Sequence, residues 1–155
     1  MIKRILILIL ALLSLSACFE PSPPKVNYQD YQISRVTLEG IEVSFNFEVD
    51  NPNPLGIDIS SYAYKVFIND REFLSEKRAG FNLPASNKKK IAIPVNIRYD
   101  RLFGSAASVA ERLLKGENKI DYRIEGNMNA GVMGVTLGIP IKASGTIPLP
   151  KDIKF

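Results

Sequence analysis

The chain carries one thiol, Cys18, and no imidazole. Lacking histidine, it has no commonest general base, no His-based triad and no commonest metal ligand. Carboxylates, lysines, tyrosines and serines remain. Ser86-Asn87-Lys88-Lys89 has the S-x-x-K spacing, which on a helix sets a lysine amine beside a serine hydroxyl. Here the four residues follow Pro84 without accompanying motifs and read as a solvated turn. Lys88, Lys89 and Lys90 are the one notable run of charge. Two accounts fit it. Lysines beside a hydrophobic strand discourage aggregation, and lysines near a bilayer attract anionic headgroups. The first is the ordinary one. Gly131, Gly134 and Gly138 lack the spacing and the following helix of a phosphate loop, and read as relief of crowding in a bent ribbon. No catalytic residue, metal or cofactor is expected: the chain reads as a non-enzyme.

At the N-terminus Lys3 and Arg4 precede an apolar run, Ile5 to Leu13, and then Leu15-Ser16-Ala17-Cys18. The run falls short of the roughly 20 residues that span a bilayer. A charged start, a short apolar stretch and small residues before a cut site make residues 1–17 a secretory signal. The four-residue end resembles a bacterial lipobox. That resemblance implies cleavage between Ala17 and Cys18, a diacylglycerol on the Cys18 thiol, and fatty acylation (palmitate or similar) of the new amino group. One acyl chain binds membranes marginally, two or more stably, so the lipid bilayer is the expected partner through Cys18. Lipoproteins of enteric-type bacteria commonly carry aspartate after this cysteine for inner-membrane retention. Phe19 there points to the outer membrane, facing the periplasm, in a Gram-negative host.

The chain has 20 basic and 16 acidic residues; without Lys3 and Arg4 these are 18 against 16, a formal +2 in place of +4. Such a balance gives nucleic acid no electrostatic stripe. With its one cysteine lipidated the fold has no disulfide and must rest on its core.

After Cys18 comes a linker, residues 18–27, whose Glu20–Lys25 stretch EPSPPK favours extended polyproline geometry and reads as a short, stiff spacer. The domain is expected over 28–150, with a tail at 151–155. It is organised around Ile41 to Asp50, where Ile41, Val43, Phe45, Phe47 and Val49 alternate with polar residues as in a strand with one dry face. Asn51-Pro52-Asn53-Pro54 interrupts pairing without starting a helix, and Leu55, Ile57 and Ile59 resume the phase. That pattern predicts a corner where the strand passes from one sheet of a sandwich to the other. Before it, Tyr31, Ile33, Val36 and Leu38 are the expected inward residues of a first strand bulged near Ser34 and Arg35, with Glu39-Gly40 as a tight turn. After it come an even-phased strand from Tyr62 to Ile68, a hairpin turn at Asn69-Asp70, a return strand over Arg71–Ser75, and another short strand at Phe81 and Leu83. Ile91–Tyr99 alternates strictly, with Pro94 suggesting an edge. Asp100–Lys115 has helical spacing, an N-cap at Asp100 and a C′ residue at Gly116. Ile120–Ile124 is a strand; a turn near Asn127–Gly131 leads to a final ribbon through Ile147. About seven or eight short strands with one amphipathic helix, over about 100–115, make a mainly β, antiparallel β-sandwich.

The strand ending in Asn51-Pro52-Asn53-Pro54, the following ISSYAYKVFINDREF, the later IAIPVNIRY and the single helix resemble the group 2 late embryogenesis abundant proteins, or WHy (water stress and hypersensitive response) domain. The resemblance covers roughly Tyr28 to Pro150. Two departures are an Asn-Asp turn where Asn-Gly is more typical, and a lipobox found only in bacterial members. It implies a fibronectin-III-like sandwich, no catalysis, and a protective or interaction role in desiccation and related stress, with client or envelope proteins as partners. The alternative is a periplasmic carrier or tether that holds a lipid or other apolar ligand between the sheets or under the helix.

Overall fold

The computed structural model describes residues 22–37, 39–103, 111, 115–116, 119–132 and 134–148. The expected signal peptide at 1–17, the expected lipobox Leu15-Ser16-Ala17-Cys18, most of the expected helical stretch and the tail at 151–155 lie outside the described residues. Among the described residues seven strands follow in order: β1 (Lys25–Val36), β2 (Gly40–Asp50), β3 (Ile57–Ile68), β4 (Arg71–Leu83), β5 (Lys88–Arg98), β6 (Lys119–Val132) and β7 (Val135–Pro148), with a short helix α1 (Tyr99–Phe103) after β5. They form two antiparallel sheets, ordered β1-β2-β5 and β4-β3-β6-β7. The expected mainly β sandwich is what is found, with β2 in one sheet and β3 in the other on either side of the NPNP corner.

Alternation sets the core. Ile41, Val43, Phe45, Phe47 and Val49 of β2, with Ile93, Val95 and Ile97 of β5, face Ile57, Ile59, Val66 and Ile68 of β3 and Ile120, Ile124 and Met128 of β6, all almost completely buried. Each such side chain contributes about 1.5–3 kcal/mol relative to exposure. The change from odd to even phase in β3 is a register shift between Ile59 and Ser61 against β6. Opposite it, a Cβ on Gly80 would lie 1.5 Å from the Ile59 carbonyl oxygen, so β4 can pair there only through glycine. The Asn69-Asp70 turn has φ of 47° and 62°, the two left-handed residues of a type I′ hairpin. β1 carries the bulge expected near Ser34 and Arg35, as a register shift between Ile33 and Arg35. β5 is the edge that Pro94 announced.

Several elements differ from expectation. The β1–β2 connection is not a Glu39-Gly40 turn: the Thr37 hydroxyl accepts the Glu39 and Gly40 amides at 3.2 Å, and Gly40 already belongs to β2. Ile33 and Val36 pair with Val43 and Ile41 and so share the core-facing side as expected, but they stay 36 % and 45 % exposed at the far end of β1. The two short strands expected within 71–83 are one, β4. Asn127–Gly131 is not a turn but the interior of β6, and the chain reverses at Gly134, with φ of 82°. The helix starts at Tyr99, one residue before the expected cap. Farther along, Lys115 donates its amide to the Glu111 carbonyl at 3.0 Å and Gly116 has φ of 77°, in keeping with a helix end there.

Candidate functional site

β2 delivers Asn51 and Asn53 into the corner. They are the two buried polar side chains among the described residues, 0 % and 3 % exposed. The Asn51 Nδ2 donates to the carbonyls of Leu55 (2.8 Å) and Pro84 (2.9 Å), and weakly to Leu83 (3.4 Å). Its Oδ1 accepts from the Asn53 amide (3.0 Å) and the Asn53 Nδ2 (2.9 Å). Asn53 reaches on to the N-terminal segment, with the Ser22 amide donating to its Oδ1 and its Nδ2 donating to the Ser22 carbonyl, both at 2.8 Å. From the other side the Ser86 amide donates to the Asn53 carbonyl (2.8 Å) and the Asn51 amide to the Asn87 carbonyl (3.0 Å). Pro52 and Pro54 remove two donors that would otherwise need partners, and stay exposed. Two amides thus join three chain segments: the linker, the corner and the β4–β5 loop.

The charge run starts β5 at this same end. Lys88 Nζ lies 2.8 Å from Glu48 and 3.9 Å from Asp50, and the hydrogen bond to Glu48 raises its pKa. Lys89 sits in the inward phase past the end of the core, its Nζ 4.2 Å from the centre of the Phe81 ring. Lys90 points outward beside a shallow depression of about 350 Å³ lined also by Asp30, Asn46 and Ala92. The S-x-x-K pair is not brought together as a catalytic pair: the Ser86 hydroxyl donates to the Asn53 carbonyl at 3.4 Å, and Lys89 is on the aromatic ring. Ser86 itself has φ of 47° in the turn. Among the described residues no group of three or more His, Cys, Asp or Glu could hold a metal, and no helix is long and apolar enough to cross a membrane. Cys18 lies outside the described residues.

A second feature is a cleft of about 450 Å³ along the open edge between β4 and β5. Phe73, Leu74 and Pro94 give it an apolar wall, and Glu42, Glu76 and Arg101 are among its polar groups. On the opposite edge the sandwich is closed by aromatic rings. Tyr122 donates its hydroxyl to that of Tyr28 (2.9 Å) and packs 4.7 Å from the Phe45 ring, and burial pushes the Tyr28 pKa up. Nothing in the local alternation marked these pairs, because they join residues far apart in the chain.

The sequence profile of the late embryogenesis abundant protein family matches residues 46–145, from the middle of β2 to near the end of β7. The chain belongs to that family. This late embryogenesis abundant chain is 25 % identical over 146 residues to an uncharacterized protein of Methanocaldococcus jannaschii, MJ1138, covering 90 % of this chain and 79 % of that protein. Its fold is similar to the solution structure of AT1g01470 from Arabidopsis thaliana, with a TM-score of 0.61 and 24 % identity over 87 % of each chain. It is equally similar, at 0.61 and 22 %, to At2g46140.1, described as a late embryogenesis abundant protein, over 99 % of this chain and 87 % of that one. The matched residues include Asn51-Pro52-Asn53-Pro54 and the lysine run. Ser22 lies before them, and its bonds to Asn53 could not be read from spacing alone.

Proposed function

We propose that the protein is a lipid-anchored, non-enzymatic module of the cell envelope, protective or interacting under water stress and held to the membrane by acylated Cys18. The observation that carries the stress role is family membership across residues 46–145. The lipobox at Leu15–Cys18 supports the anchor, and the absence of histidine from the chain supports a role by contact. The strand orders β1-β2-β5 and β4-β3-β6-β7 support a fibronectin-III-like arrangement, which offers outer faces and loops to client or envelope proteins. In a Gram-negative host it would sit on the periplasmic face of the outer membrane.

Drying or freezing a labile test enzyme with the purified domain, against an equal mass of an unrelated β-sandwich, tests the protective role. Retained activity well above that control is expected; equal loss removes it. Mass spectrometry of the mature chain tests the anchor, with Cys18→Ser expected to abolish acylation and membrane retention. The cleft between β4 and β5 favours one second reading, a carrier for an apolar ligand. Native mass spectrometry that finds no co-purifying lipid would remove it.

A further inference from the structure

We propose that the corner end of the sandwich is the surface that lies against the bilayer, so that the domain stands end-on to its membrane. The proposal rests on the acylated Cys18 of the reading above and adds an orientation to it. Ser22 is fastened to Asn53 by two 2.8 Å bonds, and Asn53 is itself buried and bonded to Asn51. The tether is therefore not the length of the proline-rich segment. Only three residues separate Cys18 from Ser22, and the four steps from one to the other gain at most about 3.6 Å each, roughly 14 Å in all. The corner must stay within that reach of the anchor. The Asn69-Asp70 turn lies a whole strand away; the 12 residues of β3 span about 40 Å.

The reach alone would also allow the sandwich to lie on its side. Its surface decides between the two. Among the described residues the two most exposed large apolar side chains are Leu55, at 51 %, and Val135, at 59 %. Both lie at the corner end, Leu55 two residues before β3 and Val135 at the start of β7; β3 and β7 are separated by β6 and so run about 10 Å apart. By contrast, the outer face of the three-stranded sheet presents Glu42, Ser44, Asn46 and Glu48. Charge adds little. The corner end has Lys25, Lys88, Lys89 and Lys90 against Glu48, Asp50 and Asp58, one formal positive in excess. That is worth roughly fivefold in binding to anionic lipid. The tether and the two apolar side chains set the orientation, and headgroup charge modulates it.

The test uses the acylated full-length chain in vesicles of phosphatidylethanolamine and phosphatidylglycerol. Acylation blocks Cys18, so Leu55→Cys, Val135→Cys and Arg71→Cys each provide a single thiol for a nitroxide; Arg71 is exposed at the far end of the hairpin. All three substitutions are at exposed positions and should leave the fold intact, which circular dichroism checks. Labels at 55 and 135 should relax severalfold more with oxygen and less with an aqueous nickel chelate than the label at 71. Equal aqueous accessibility at the three positions, in protein that floats with vesicles and has the acylated mass, overturns the orientation and leaves the anchor standing. A chain that is not acylated and does not float overturns the anchor, and the orientation with it.

Discussion

Asn51 shows how one side chain can hold a fold that has no disulfide. Its amide satisfies at least two carbonyls and takes two donors from Asn53, in a place where water cannot substitute. Leaving such groups unpaired costs about 1–3 kcal/mol, so Asn51→Ala should lower stability by about 2–3 kcal/mol. Urea unfolding should show the midpoint falling at constant slope, whereas Asn82→Ala, at an exposed position on β4, should change it by less than about 0.5 kcal/mol. Tyr99 is the opposite case. Its hydroxyl is buried with no partner among the described residues, so Tyr99→Phe should leave stability unchanged or slightly higher in the same assay. The asparagines were legible in the sequence as turn formers. Their role as a junction was not, because Ser22 and Pro84 are about thirty residues away on either side.

At the scale of elements, legibility followed dryness. β2 and β5 could be read residue by residue because one face of each is sealed and the other wet, which writes period two into the sequence. β1 and β4 have mixed burial, so their alternation blurs: inward-phase residues of β1 stay exposed, and the pattern suggests two strands where β4 is one. The Gly- and Asn-rich stretch Asn127–Gly131 resembles a turn in sequence but is paired with β3 on one side and β7 on the other, and the glycine just before it has a packing cause. A Cβ on Gly126 would lie 2.4 Å from the Ala63 carbonyl oxygen in the neighbouring strand. The Asn69-Asp70 turn was legible because few residue types accept positive φ. Asn69 is further fixed by its Oδ1, which accepts the Asp121 amide at 3.1 Å, but Asp70 is 95 % exposed in its side chain. At φ 62° a β-branched residue is strained, so Asp70→Val should destabilise by about 1–2 kcal/mol. Asp70→Gly, which suits the type I′ turn, should be neutral or stabilising by about 0.5 kcal/mol. Thermal unfolding of the two variants, read at the same pH, separates them.

For the molecule as a whole, the ionisable groups with displaced pKa values give a pH profile whose direction can be worked out. Burial pushes the hydroxyls of Tyr28, Tyr64 and Tyr99 above their ordinary value of 10.0. At pH 7 folded and unfolded chains both keep these protons, and stability has no slope from them. Above pH 10 the unfolded chain ionises first and binds fewer protons than the native state, so stability falls as pH rises further. Lys88 acts in the same direction: Glu48 and Asp50 raise its pKa, so the folded state holds its proton past 10.5 while the unfolded state releases it. On the acid side Arg98 lowers the pKa of Asp100 below 3.8, which adds a small, solvent-screened loss only as pH drops past that value. No histidine exists to titrate between these limits. Urea midpoints measured from pH 5 to 11.5 should therefore be level to about pH 9 and then decline, and Tyr28→Phe should make the alkaline decline shallower. A midpoint that shifts between pH 6 and 8, or an alkaline limb unchanged by that substitution, would show that the tyrosine-lined edge between the two sheets does not set the alkaline limit of the fold.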